Sequence, residues 1–232
     1  MKTSSVAEHG LRLTRFGFVN CYLVREADGL TLIDAGMLAS SAGPILSAAA
    51  GLDAPIRRIL LTHAHTDHIG AVDAMMAALG PDVELACSSR SLPLLACPPD
   101  LGARSGDAPG AIRGGLPGIR TRPARLLKEG DSCGSLTCLE TPGHLPGHIS
   151  FFDRRDCTLY AGDALIGMGR LAVPGYAPWY FFLPNTATQN KATARASAER
   201  LLDLPIARFA CGHGAVKEGG RPLLEAALRV AS

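Results

Sequence analysis

The sequence lacks the features that would mark a membrane or secreted protein. No stretch reaches the roughly eighteen consecutive apolar residues of a membrane helix, and the N-terminus has no uninterrupted apolar run like that of a signal peptide. The 7 cysteines form no C-x-x-C pair, so reduced and mostly buried thiols are expected. These absences favour a soluble cytoplasmic protein that makes no contact with a membrane.

An excess of charge of one sign is also missing. The 23 basic and 21 acidic side chains leave a net charge of +2, so no global field attracts nucleic acid. Hydrophobic residues make up 47% and charged residues 19%, which is ordinary for a packed globular protein. At 232 residues the chain is long enough for one sizeable α/β domain, 1–232, and too short for two of the usual size.

The first half of the sequence predicts a meander followed by a strand, a loop and a helix. Residues 11–34 contain two or three strand-like runs, which predict an antiparallel meander. Residues 56–61, IRRILL, predict a buried strand that stops just before the histidine-rich segment HAHTDH. Apolar residues from Ile69 to Leu79 then recur at helical spacing, which predicts a helix directly behind the histidines.

The second half is again rich in strands and closes with helices. Helix-forming composition predicts helices at 89–96 (SRSLPLLA), 185–204 and 221–231. Compact apolar runs predict further strands at 83–87, 135–141, 148–153, 157–163 and 207–212.

Residues 97–123 are rich in glycine and proline, which predicts a long loop instead of packed structure. Between Arg104 and Lys128 there are six basic residues, and Asp107 is the one acid. Two interpretations remain open. The loop is either solvated, or it is a lid that accepts anions, because arginine pairs well with carboxylates and phosphates.

The segment HAHTDH holds three imidazoles and one carboxylate within six residues, a density typical of metal sites. Because it leaves a strand and enters a helix, the chain must turn sharply. His63 and His65 can then point at one ion, and Asp67 and His68 at another. Two ions need more donors than this loop supplies. We expect them at other strand ends, where His144, Asp163 and His213 follow strand-like runs.

The H-x-H-x-D-H loop followed by TPGH, GD and GHG resembles the metallo-β-lactamase superfamily over nearly the whole chain. The resemblance implies an α/β fold, a four-layer αβ/βα sandwich of two mixed sheets flanked by helices, with metals at the upper edge between the sheets. It also implies that Asp34 lies behind the metal ligands. His148, in TPGHLPGHISFF, resembles a second Gly-His of glyoxalase II enzymes, and we expect it to support the site.

The resemblance also assigns roles to the predicted metal ligands. His63, His65 and His144 match the first metal site, and Asp67, His68 and His213 match the second. Asp163 matches the carboxylate that bridges the two ions. The implied cofactors are two Zn²⁺ ions per chain, with one Fe²⁺, mixed iron and zinc, or manganese as alternatives. The expected catalytic residues are Asp163 and Asp67, which can orient the attacking water or take its proton.

The implied reaction is hydrolysis of a small acyl substrate, a thioester or a lactone or other ester, by a hydroxide that bridges the two metals. TPGHLPGHISFF favours glyoxalase II-like enzymes over lactonase-like ones. The alternative is a mononuclear iron persulfide dioxygenase whose ligands would be His63, His144 and Asp163. A β-lactamase is a weaker alternative because no export signal precedes the domain. The sequence is compatible with a homodimer.

Five of the aromatic residues crowd into YAPWYFF at 176–182, after the expected bridging aspartate. Tyr176, Trp179 and Tyr180 either cover core surface or line the substrate pocket, since pockets favour aromatic walls. A tyrosine hydroxyl there can donate a hydrogen bond to a developing oxyanion. Cys211, two residues before His213, is expected to pack into the core.

Overall fold

The computed structural model of the chain describes residues 1–231, which form two compact units. Unit 1 comprises Met1–Asp100 and Gly115–Leu127, and unit 2 comprises Leu101–Gly114 and the chain from Lys128 onward. Each unit combines a mixed β-sheet with α-helices. The prediction of an α/β fold with two mixed sheets flanked by helices is confirmed.

The sheet of unit 1 has its seven strands in sequence order. The first four are antiparallel neighbours, and the last three are added in parallel. The meander is therefore present, and it begins earlier than predicted, because a polar N-terminal strand pairs with its first predicted strand. The strands are β1 Lys2–Val6, β2 Gly10–Arg15, β3 Val19–Glu26, β4 Gly29–Ile33, β5 Ile56–Leu60, β6 Glu84–Ser88 and β7 Arg125–Leu127.

The helices of unit 1 are α1 Ala42–Gly51, α2 Thr66–Ile69 and α3 Val72–Leu79. The single helix predicted from residue 69 is thus two helices with a break at Gly70. A methyl group at Gly70 would lie 2.0 Å from the carbonyl oxygen of Met37, so only glycine fits there. The Gly70 N–H donates to Gly36 O (2.7 Å), which ties α2 to the segment after β4.

The predicted helix at 89–96 is wrong, because these residues form turns. Ser88 accepts a hydrogen bond from the Ser91 N–H (3.1 Å) and its hydroxyl donates to the Ser91 hydroxyl (3.0 Å). Such local side-chain bonds compete with helical ones, and Pro93 removes a further backbone donor.

The sheet of unit 2 has six strands in the order β13-β12-β11-β10-β9-β8. The pair β11 and β12 is parallel, and the other neighbours are antiparallel. Every residue of the two middle strands β10 and β11 is buried, as expected for strands covered on both faces. The strands are β8 Ser132–Cys133, β9 Leu136–Glu140, β10 Ile149–Asp153, β11 Thr158–Gly162, β12 Arg208–Cys211 and β13 Lys217–Glu218.

The helices of unit 2 are α4 Leu183–Ala187, α5 Lys191–Arg200 and α6 Gly220–Val230. The helix predicted over 185–204 is therefore broken after residue 187. The Asn190 side chain caps α5 by accepting a hydrogen bond from the Thr193 N–H (2.8 Å). Apolar residues of α5 and α6 pack on β10, β11 and β12, and this cluster is the core of the unit. Among the residues described, none of the helices has the length and apolarity that a membrane crossing requires.

Residues 97–123 contain neither helix nor strand, and they are fastened by hydrogen bonds within each unit. In unit 1, the N–H of Thr66 donates to Gly115 O (2.9 Å). In unit 2, the Gln189 amide donates to Ala108 O (3.0 Å) and the Asn190 amide to Pro109 O (2.8 Å). Thr66 lies between the predicted ligands His65 and Asp67, and the Gln189 N–H donates to His144 O (3.0 Å), so both parts of the loop are attached beside predicted ligands.

Candidate metal centre

Four of the seven predicted metal ligands lie in residues 63–68 of unit 1, here called the ligand loop, which leaves β5 and runs into α2. His63, His65 and His68 are buried, whereas the side chain of Asp67 keeps 22% of its surface exposed. The rings of His63 and His68 lie 4.0 Å apart, centre to centre, and Asp67 Oδ2 lies 3.9 Å from His68 Nε2. The sharp turn predicted from strand to helix therefore brings all four side chains together.

His63 and His65 have the spacing expected of two ligands of one ion. The atoms His63 Nε2 and His65 Nδ1 are 3.1 Å apart. Bonds of about 2.0–2.1 Å to a tetrahedral zinc ion place two ligand atoms about 3.3 Å apart. Imidazole nitrogens and carboxylate oxygens are also donors that zinc and iron accept. The residues of unit 1 fit a divalent metal ion.

The carboxylate of Asp34 orients two of these histidines. It accepts hydrogen bonds from the Thr62 N–H (2.9 Å), the Thr62 hydroxyl (2.9 Å) and His68 Nδ1 (2.7 Å). Because the single hydroxyl proton of Thr62 goes to Asp34, Thr62 Oγ1 accepts from His63 Nδ1 at 3.0 Å. Both imidazoles therefore carry their proton on Nδ1, which leaves Nε2 as the ligand atom.

Asp34 is held where a non-glycine residue is seldom found. Its φ of +58° lies in the left-handed region, which aspartate tolerates better than most residues. Its backbone N–H donates to Leu60 O (2.9 Å), and the next N–H, of Ala35, donates to His68 O (2.7 Å). The end of β4 is thus bonded to the ligand loop by main chain as well as by the carboxylate.

The other three predicted ligands belong to unit 2 and follow β9, β11 and β12. His144, Asp163 and His213 are all buried. Asp163 Oδ2 lies 3.5 Å from His144 Nε2 and 3.2 Å from His213 Nε2. A single carboxylate thus lies within ligand spacing of both histidines, which the resemblance assigns to different ions. This geometry fits a bridging carboxylate.

His144 is oriented by Thr188, a residue that no motif in the sequence marks as part of the site. The Thr188 hydroxyl donates to Pro184 O, so its oxygen accepts a hydrogen bond from His144 Nδ1 at 3.0 Å. The proton on Nδ1 leaves Nε2 of His144 on the side of Asp163. The Asn190 cap indicates a helix start at residue 191 and hence a loop at 188–190, but nothing in the sequence links Thr188 to His144.

His148 lies behind Asp163 and makes hydrogen bonds through both ring nitrogens. Nε2 accepts the backbone N–H of Asp163 (3.0 Å), and Nδ1 contacts the Thr141 hydroxyl (2.9 Å). The Thr141 hydroxyl in turn lies 2.8 Å from Ser150 Oγ, which donates to Ala161 O (3.1 Å). This chain of bonds holds the main chain at Asp163.

The structure gives different environments to the other predicted site residues. Tyr176 is half-buried against the core of unit 2, with the Lys191 ammonium 5.6 Å from its ring centre. Trp179 and Tyr180 are exposed. That these three contact substrate stays a prediction. Cys211 belongs to the core cluster of unit 2, where burial and then the nearby Asp163 carboxylate raise the pKa of its thiol.

All seven predicted ligands are His or Asp side chains that can hold a metal ion, four of them in unit 1 and three in unit 2. The family model of the metallo-beta-lactamase superfamily matches residues 14–213 of the chain. The chain belongs to the metallo-β-lactamase superfamily. As a member, it has a metal-binding site rich in histidine and belongs to a superfamily of metal-dependent hydrolases.

Three relatives and one solved structure bear on its function. The uncharacterized protein YobT of Bacillus subtilis is 44% identical over 84% of this chain and 83% of its own. The probable metallo-hydrolase YflN of the same organism is 30% identical over 89% and 83%. A hydroxyacylglutathione hydrolase of Cereibacter sphaeroides is 34% identical, but over only 55% of this chain and 41% of that enzyme.

The protein TTHA1623, solved in a di-iron-bound form, is 32% identical and superposes with a TM-score of 0.63, covering 89% of this chain and 92% of its own. Divalent metal ions are therefore the cofactor class of this superfamily member.

Proposed function

We propose that this superfamily member is a dinuclear metal hydrolase that cleaves a thioester or an ester, including lactones, of a small acyl substrate. One ion would be held by His63, His65 and His144, and the other by Asp67, His68 and His213, with Asp163 shared. Zinc is the proposed metal, with iron and manganese as alternatives. When bound, such ions supply a nucleophile for hydrolysis at neutral pH and polarise the substrate carbonyl.

The observation that carries the proposal is the position of Asp163 between two histidines of unit 2. Its Oδ2 lies within 3.5 Å of Nε2 of both His144 and His213, one from each proposed ligand set. A mononuclear site needs only one of these contacts. The matching of a single family model across residues 14–213 supports the assignment of ligands from both units to one site.

The protein's own residues supply orientation and proton handling. Asp34 and Thr188 hold three ligand imidazoles with the proton on Nδ1, so that their Nε2 atoms are preorganised for metal. Asp67 differs from the buried histidines because its side chain is 22% exposed. We therefore propose that one Asp67 oxygen orients the attacking water and takes its proton.

Two features support the choice of substrate class and compartment. The hydroxyacylglutathione hydrolase relative acts on an acylated thiol, according to its name, and it is 34% identical over 129 residues. All seven cysteines of this chain are free thiols, which fits a reducing compartment such as the cytoplasm.

The proposal is tested by the metal content of purified protein, measured by plasma mass spectrometry for the wild type, Asp67→Ala and His213→Ala. We expect two metal ions per chain in the wild type and about one in each variant. His9→Ala and Asp82→Ala are matched controls outside the ligand set, and they should keep both ions. Thioesters and lactones are then offered to the protein with two ions.

One iron per chain, unchanged by Asp67→Ala and His213→Ala, would contradict the dinuclear hydrolase. That result would favour the alternative of a mononuclear iron persulfide dioxygenase with His63, His144 and Asp163 as ligands. Measuring oxygen consumption with a persulfide substrate would then separate the two reactions.

A further inference from the structure

Unit 2 carries an exposed apolar segment whose purpose the metal centre does not explain. We name it the aromatic segment, Trp179–Leu183. Four of its five side chains are exposed, Trp179 by 85%, Tyr180 by 54%, Phe182 by 56% and Leu183 by 55%. Soluble proteins seldom expose contiguous large apolar side chains unless they bind something there.

The fifth side chain joins the aromatic segment to the metal centre. Phe181 is 8% exposed, and its ring lies 5.3 Å from the ring of the predicted ligand His213. Trp179 and Tyr180 extend from it, with their ring centres 5.9 Å apart. The apolar surface therefore begins against a metal ligand and continues outward into solvent.

The charges around the aromatic segment are positive. No Asp or Glu occurs between Asp163 and Glu199. The Lys217 ammonium donates to Gly169 O (2.7 Å). The Tyr180 hydroxyl also lies against Gly169, since a methyl group added there would be 2.0 Å from it. Lys217 and Tyr180 therefore meet at the same residue. The acid next to Lys217, Glu218, is paired with Arg208 at 3.1 Å.

We infer that the aromatic segment binds the apolar chain of an anionic acyl substrate, so that the substrates are esters or thioesters of medium- or long-chain acyl groups. This inference rests on the proposed hydrolase function and specifies its substrate class. Removing each methylene of the chain from water strengthens binding by about fourfold. A chain that reaches along the aromatic segment is therefore selected over a short acyl group.

Trp179 makes the inference directly measurable, because it is the single tryptophan of the chain. Its fluorescence is titrated with decanoate below the micelle concentration, with butanoate, and with decyltrimethylammonium. We expect a saturable blue shift with decanoate. Butanoate carries the same carboxylate but has six fewer methylenes, so at about fourfold for each methylene removed from water it should bind up to about 4,000-fold more weakly. The cation should bind more weakly than decanoate.

The variant Phe182→Ala should weaken decanoate binding about tenfold and lower the ratio of kcat/KM for decanoyl over acetyl thioesters by a similar factor. Phe16→Ala is the matched control, because Phe16 has the same residue type and is 54% exposed in unit 1. It should leave both the binding and the ratio unchanged.

The outcomes separate the inference from the proposed function. Cleavage of short and long thioesters at equal rates, without a shift of Trp179 emission, overturns the inference and leaves the hydrolase standing. Phospholipid vesicles are added in a separate titration, and an emission shift with vesicles but not with decanoate indicates a membrane contact. Trp179 emission that depends on protein concentration indicates self-association. Either result overturns the acyl-chain assignment. Binding of decanoate without cleavage of any ester refutes the hydrolase, and the substrate assignment fails with it.

Discussion

The two units carry the predicted metal ligands in opposite ways. Unit 1 places four donors in six consecutive residues, and one buried carboxylate, Asp34, orients two of them. Unit 2 takes its three donors from the ends of separate strands, and different residues orient them, Thr188 for His144 and His148 for Asp163. A substitution of Asp34 should therefore affect several ligands of unit 1 together. A substitution of Thr188 or His148 should affect one ligand of unit 2 only.

The largest expected effect is that of Asp34→Asn. Asparagine keeps the size of aspartate and tolerates the positive φ, but it has one acceptor oxygen where the carboxylate has two. Its amide nitrogen would face either His68 Nδ1, which moves that ring proton to the Nε2 ligand atom, or the Thr62 N–H, which then loses its acceptor. We expect metal affinity to fall about 100-fold, measured by competition with a chelator.

Asp53→Asn is the control for Asp34→Asn, because Asp53 also has a positive φ, of 51°, in unit 1 and lies outside the ligand loop. It should leave the affinity unchanged. An unaltered affinity in Asp34→Asn would show that main-chain bonds alone hold the ligand loop.

Thr188→Val should have a smaller effect, confined to one ligand. Valine preserves the shape of threonine but removes the oxygen that accepts from His144 Nδ1, so this ring loses its fixed proton position. We expect metal affinity to fall about tenfold, with His63 and His68 unaffected. Nitrogen-15 NMR of the imidazoles would report the change at His144 separately from the other rings.

Thr186→Val provides a matched comparison for Thr188→Val. Thr186 lies in α4, two residues before Thr188, and its hydroxyl donates to Leu183 O (2.9 Å). Its side chain is exposed, whereas that of Thr188 is buried against His144. The idea of independent supports in unit 2 fails if Thr188→Val weakens metal binding as much as Asp34→Asn does.

The sequence was a better guide to the ligands than to their supports. Apolar runs predict strands that end just before the ligands His63, Asp163 and His213. In the structure, strands end at Leu60, Gly162 and Cys211. The contact of Thr188 with His144 crosses 44 residues, and no local pattern records such a distance. Supports of this kind arise from tertiary packing, whereas ligand loops have a composition of their own.

The prediction of secondary structure is wrong where side chains or neighbouring strands override the local preference of the sequence. Strand β1 is polar and exposed over most of its length, so it lacks the apolar alternation of a strand, and pairing with β2 defines it. Helical composition throughout 185–204 predicts one helix, whereas the structure has α4 and α5 with a break between Ala187 and Lys191. That break is what brings Thr188 to His144.

A second contrast concerns the side chains that anchor the loop at 97–123. In unit 1 the carboxylate of Asp73 accepts hydrogen bonds from the backbone N–H groups of Arg120 and Thr121, at 3.0 and 2.8 Å. In unit 2 the uncharged amides of Gln189 and Asn190 donate to loop carbonyls. Protonation of Asp73 can therefore weaken its anchor in unit 1, whereas the amides that anchor the loop in unit 2 do not titrate.

The smallest expected effect is that of Asp73→Asn, which tests this contrast through pH. Burial alone would raise the pKa of Asp73, but the hydrogen bonds from Arg120 and Thr121 outweigh it and hold the pKa below its ordinary value of 3.8. A carboxylate with a lowered pKa contributes stability above its unfolded pKa and loses it as the pH falls through the folded value. At pH 7 we expect Asp73→Asn to lower the free energy of unfolding by about 1 kcal/mol.

Urea unfolding of the wild type and Asp73→Asn at several pH values measures this contribution as a difference, so that acid effects on the metal ligands cancel. The difference should shrink below pH 3.8 and vanish once the wild-type carboxyl is protonated. Asp28→Asn is the control, because Asp28 pairs with Arg58 in an exposed position and should contribute little. A difference that persists in strong acid would mean that the asparagine itself disturbs α3, and that the loop end is not held by charge.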